Sequence, residues 1–128
     1  MQYSDFIGQV QSRGRMDSQE AAVKATRATL EILTERLAQN QPKHLGAQLP
    51  EEIANYLGET GQGESFSVQE FYDRVAKREK VETTDAQFHA RAVIDVIRDA
   101  VTESELDHVR GQLPDEYAPL FEKVEPNE

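Results

Sequence analysis

The side chains that could do chemistry occur in pairs along the chain. Arg27 and Arg91 could hold an anion between two guanidinium groups, which are planar, permanently charged donors. His44 and His108, with Glu105 and Asp107 close by in sequence, could supply ligands to a divalent metal. Gln48 with Glu52, and Gln112 with Glu116, stand in a repeated Gln-Leu-Pro-x-Glu and could form a symmetric recognition groove. Each pair also has a plainer use. Arg27 and Arg91 could reach Glu52 and Glu116 and tie a long helix to a proline-initiated one. The histidines lack the His-x-x-x-His or His-Glu-x-x-His spacing of a zinc helix and fit exposed helix ends. In Gln-Leu-Pro-x-Glu, Leu49 and Leu113 would plug the core, Pro50 and Pro114 would open a helix, and Gln and Glu would satisfy exposed amides. A folding corner must be kept in both copies of a repeat, whereas a site need persist in only one. The plainer uses are therefore the expectation.

Other chemistries find little support. The chain has no cysteine, which removes disulfides, thiolate metal sites and cysteine nucleophiles. No nucleophile elbow occurs. Gly58, Gly61 and Gly63 lack the following Lys-Ser/Thr and the preceding strand of a phosphate loop. The patterns point away from an enzyme and call for no cofactor, and no residue is assigned as catalytic or metal-ligating. The net charge is −10, poorly suited to the phosphate neutralisation that drives nucleic-acid binding. Residues 1–50 hold six Lys+Arg against five Asp+Glu; residues 51–128 hold eight against nineteen. The acidity thus belongs to the second part, as a solubilising face or a docking face for a basic partner. No apolar run approaches the ~18 residues of a membrane span. Met1–Val10 carry neither a basic nor an apolar leader segment, so a cytoplasmic location is expected.

The pairing of residues reflects an internal repeat. Residues 3–57 align with residues 67–121. Phe6, Val10 and Arg13 match Phe71, Val75 and Arg78 at an offset of 65. From Ala22 the offset is 64: Ala22, Arg27, Ala28, His44, Gln48, Leu49, Pro50, Glu52 and Ala54 match Ala86, Arg91, Ala92, His108, Gln112, Leu113, Pro114, Glu116 and Ala118. Roughly three identities would arise by chance at average residue frequencies, so these twelve indicate a duplicated unit. A unit of this length is marginal alone, which implies that the copies share one core.

Each unit reads as a helix, a long helix and two short helices. The first helix is expected after Ser4, and after Ser67, where Ser67-Val68-Gln69-Glu70 fits a capping box. The long helix is expected after Asp17 or Ser18, and after Thr83 or Thr84. Its apolar stripes are Ala22, Thr26, Thr29, Leu30, Leu33 and Leu37, and Ala86, Ala90, Val93, Ile94, Ile97 and Val101. Short helices follow at 42–48 and 103–111, the second capped by Thr102, and then come the proline-initiated helices. Pro119 should shorten or bend the last of these. Residues 58–66 read as a linker and residues 122–128 as a frayed tail. Phe6, Phe71 and Phe121 fall at core positions, while Tyr3, Tyr56, Tyr72 and Tyr117 fall at its rim.

The doubled Phe-x-x-x-Val-x-x-Arg, Arg-Ala and Gln-Leu-Pro-x-Glu patterns resemble those of the prokaryotic family known as domain of unknown function 2267. The resemblance covers residues 3–121. It implies a small all-helical prokaryotic protein and carries no known activity, so no functional residue transfers. The expectation is an all-α bundle of about eight helices, from two tandem pseudo-symmetric four-helix units sharing one core in a single domain. Its expected function is as a protein-interaction or self-association module, with a protein partner or a homo-oligomer and no nucleic acid or membrane. The alternative is a bundle that binds a small anion or a divalent metal.

Overall fold

The computed structural model describes residues 1–124. Two 18-residue helices, α2 (Gln19–Arg36) and α6 (Thr83–Ala100), pack on each other at its centre. The first helix, α1 (Tyr3–Arg13), lies on both of them, and so does α5 (Val68–Glu79). The short helix α3 (Gln41–Gly46) packs against α7 (Glu103–Gly111), joining the two parts of the chain a second time. The one-turn helix α4 (Glu51–Ala54) and a terminal 3-10 helix (Asp115–Phe121) complete eight helices among the described residues. The fold is all-α, with one pair of two-residue strands. A single cluster of buried side chains runs through both parts, from Phe6, Leu30, Leu33 and Ile53 to Phe71, Ile94, Ile97 and Phe121.

The boundaries follow local chemistry. Ser18 Oγ accepts from the Ala21 amide at 3.1 Å, Ser67 Oγ from Glu70 at 3.1 Å, and Thr102 Oγ1 from Glu105 at 3.2 Å. Each satisfies one of the free amides at a helix start. Two expected caps are displaced. Ser4 lies inside α1, which begins at Tyr3 after Gln2. The residue before α6 is Glu82, and Thr83 turns its hydroxyl to Asp73 Oδ1 at 3.3 Å. The apolar stripes are buried as expected, except that Val101, just past α6, is only half-buried. Leu49 and Leu113 are both buried.

Pro50 and Pro114 sit one position before their helices, as the flanking residues. Pro119 has no N–H to complete an α-helical bond, and the segment winds tighter, with Tyr117 N bonded to Pro114 O at 2.9 Å. The expected linker contains one strand of the small ribbon. Strand β1 (Ala38–Gln39) pairs antiparallel with β2 (Gly61–Gln62), Ala38 opposite Gln62 and Gln39 opposite Gly61. A Cβ on Gly61 would fall 2.1 Å from the Leu37 carbonyl oxygen, so the close approach needs glycine. The expected tail lies beyond the helices at 122–124, and its residues 125–128 lie outside the described residues.

Two tyrosines depart from their expected rim positions. Tyr117 and Tyr72 are buried. Tyr117 crosses Phe71 edge-to-face at 6.0 Å and donates its hydroxyl to the Phe66 carbonyl at 2.8 Å. The long linker brings that carbonyl inward, a partner 51 residues away that no local pattern reveals.

Candidate functional site

The anion-site and helix-tie uses of Arg27 and Arg91 both assume that these side chains reach beyond their own helix. Arg27 is exposed and pairs with Glu31, one turn along α2, at 3.2 Å. This replaces the expected tie to Glu52, which is exposed beside Met1, Tyr3 and Pro50 at the edge of a surface groove. Arg91 sits 3.7 Å from Glu122, and its Nε is buried with no partner. The expected tie from Arg91 to Glu116 is replaced too: Glu116 Oε1 accepts from the Val68 amide at 2.9 Å, holding the start of α5.

Arginine ties do exist, on a different matched pair. Arg13, at the end of α1, reaches α6. Its guanidinium bonds Asp95 Oδ2 at 3.0 Å, the Asp95 carbonyl at 3.1 Å and Asp99 Oδ2 at 2.6 Å. Arg78, at the end of α5, reaches α2, bonding Glu31 at 3.3 Å and also Glu35. Asp95 and Asp99 are the offset-64 counterparts of Glu31 and Glu35. Each arginine thus leaves its own part of the chain and grips two carboxylates, one helical turn apart, on the long helix of the other part. Spacing explains the grip: residues i and i+4 share a helix face and present two acceptors to one fork of donors. Burial pulls the Arg13 pKa down, but hydrogen bonds and charge from Asp99 and Asp95 outweigh it and hold the guanidinium above its ordinary value.

The matched glutamines also cross. Gln48 Oε1 accepts from the Thr102 amide at 2.8 Å, at the entrance to α7. Gln112 Nε2 donates to Gln41 Oε1 at 3.0 Å, at the entrance to α3. Gln41 in turn donates to the buried Glu105 carboxylate at 2.9 Å. Glu105 is therefore engaged in packing α3 against α7. His44 and His108 are both exposed. Among the described residues, no three His, Asp or Glu side chains converge as a metal-binding group.

Features without a matched counterpart were less legible. His89 Nδ1 lies 2.8 Å from Glu79, whose carboxylate is 3% exposed and whose second oxygen has no partner. The positions aligned with this pair are Gly14 and Ala25, so matching the two stretches of sequence gives no signal for it. The Tyr72 hydroxyl is likewise buried without a partner, and burial raises its pKa. Arg36 lies against the rings of Phe66 and Tyr117 and donates to the Phe66 carbonyl at 3.1 Å.

No helix among the described residues is long and apolar enough to cross a membrane. No curated protein matches the chain. The model of a family described as an uncharacterized conserved protein, DUF2267, matches residues 3–120, nearly the whole chain, and the chain belongs to that family.

Proposed function

We propose that this chain is a doubled helical unit acting as a non-catalytic module that binds a partner protein or a second copy of itself. The observation that carries this reading is the fate of the matched polar residues. Arg13, Arg78, Gln48 and Gln112 are engaged in joining one part of the chain to the other. Groups committed in this way hold a rigid body together and are not poised for substrate. Such a body offers outward surfaces, and the exposed acidic side chains of the second part suit a basic partner.

Sedimentation velocity over a wide range of protein concentration tests self-association, and cross-linking mass spectrometry in cells that express the protein tests partner binding. The expected result is a reversible dimer, or a specific partner cross-linked through the second part of the chain. A monomer at all concentrations, together with no specific cross-linked partner, would overturn the reading.

A further inference from the structure

We infer that a recess between α6, α7 and the terminal 3-10 helix binds a small carboxylate with an apolar, preferably aromatic, body. The recess encloses about 440 Å³, within the size range of small-molecule sites. Leu106 and Phe121 form its apolar lining, and Arg98, Arg110 and Lys123 supply the cations. These are three of the eight cationic residues in the strongly acidic stretch 51–128. Arg98 is engaged, bonding Asp95 and the Phe121 carbonyl, which fixes the lining in place. Arg110 lies over the Phe121 ring at 5.8 Å. Among the described residues, neither Arg110 nor Lys123 has a carboxylate in ion-pair contact. A ring laid on Leu106 and Phe121 would put its carboxylate beside these two cations. Glu103 and Asp107 line the same recess from α7, the helix that also carries Leu106 and Arg110.

The corresponding place in the first part of the chain is different. The residues aligned with Arg98, Leu106, Arg110, Phe121 and Lys123 are Thr34, Pro42, Gly46, Leu57 and Glu59. A Cβ placed on Gly46 would meet Ala54 at 3.4 Å and Leu57 at 3.5 Å, so α3 packs closely there, and none of the three cations has a cationic counterpart, although Lys43 stands where Asp107 does. The helices therefore pack at this junction without an arginine, and Arg110 and Lys123 are not needed to close it. This inference does not depend on the partner-binding reading.

The probe is phenylacetate, titrated into the full isotope-labelled chain and followed by amide chemical shifts. Neutral phenylacetamide and cationic phenethylamine serve as controls. The expected result is saturable shifts centred on Leu106, Arg110 and Phe121, with at least about tenfold weaker binding of both controls, since the charged hydrogen bonds are lost. Arg110→Gln with Lys123→Gln should weaken phenylacetate about tenfold or more while leaving the unbound spectrum folded, because both side chains are exposed. No saturable binding, equal binding of the amide, or shifts centred elsewhere would each overturn the inference. Unchanged affinity in the folded double variant would do the same.

Discussion

The two arginine clamps make the same connection in different surroundings. Arg13 grips Asp95 and Asp99 from a half-buried position, and the Asp95 side chain is only 10% exposed. Asp95 also holds Arg98, which reaches on to the Phe121 carbonyl, so this clamp extends into the terminal 3-10 helix. Arg78 is 40% exposed, and its carboxylates are shared with the exposed Arg27 and the half-buried Arg74. The lesson is that identical topology does not mean equal energy. A charge-assisted network shielded from water contributes more than the same pairing exposed to it.

The largest expected effects are common to both parts. Leu33→Ala and Ile97→Ala each delete a buried side chain at matched positions on the long helices and should each cost about 2–5 kcal/mol in chemical denaturation. A near-neutral result at one position would break the equivalence of the two long helices. The clamps should then separate: Arg13→Ala should cost about 1–3 kcal/mol and Arg78→Ala about 0–1 kcal/mol by the same measurement. Equal losses would remove the distinction between them.

Alkaline pH tests the buried tyrosines of the second part, while burial also raises the pKa of Tyr56 in the first part. Burial raises the Tyr72 and Tyr117 pKa values, with Arg36 partly opposing the rise at Tyr117. An unfolded tyrosine ionises near pH 10, and the folded protein holds these protons more tightly. Their contribution is therefore complete below about pH 10 and declines as pH rises toward the folded values. Denaturation midpoints should fall across that range, and Tyr72→Phe with Tyr117→Phe should flatten the fall. Smaller effects follow. Gln48→Ala should cost about 0.5–1.5 kcal/mol through its bond to the Thr102 amide. Tyr72→Phe should be neutral or slightly stabilising, since it removes a buried hydroxyl without a partner. Arg27→Ala should change stability by about 0.5 kcal/mol or less, because its one ion pair is an exposed contact within α2.

Helix positions were legible wherever a short-range rule governs them. Ser18, Ser67 and Thr102 cap because their oxygens meet amides three residues on, a relation visible in a few letters of sequence. The apolar stripes were legible because a helix has a period. The β1–β2 ribbon was not, since two residues per strand carry no period. Thr83 does not cap α6 because its hydroxyl serves Asp73, on another helix. Arg13 and Arg78 stood out as matched residues, but their partners lie 82–86 and 43–47 positions away. Matching can mark a residue as important to both parts without saying what it touches, so the sequence does not distinguish Arg13 and Arg78 from Arg27 and Arg91 as the tie. The recess on α7 was illegible for the opposite reason. Its Arg110 aligns with Gly46, and matching one stretch of sequence with another gives no signal for a residue that has no like counterpart.

The central claim is that the crossing contacts bind the two parts of the chain into one cooperative core. Native-state hydrogen exchange of the α2 and α6 amides tests it most directly. The core residues of both helices should exchange only through a shared opening with the same free energy and denaturant dependence, and Arg13→Ala should lower both by the same amount. Exchange of one long helix through a distinctly easier opening, with the other left fully protected, would contradict it.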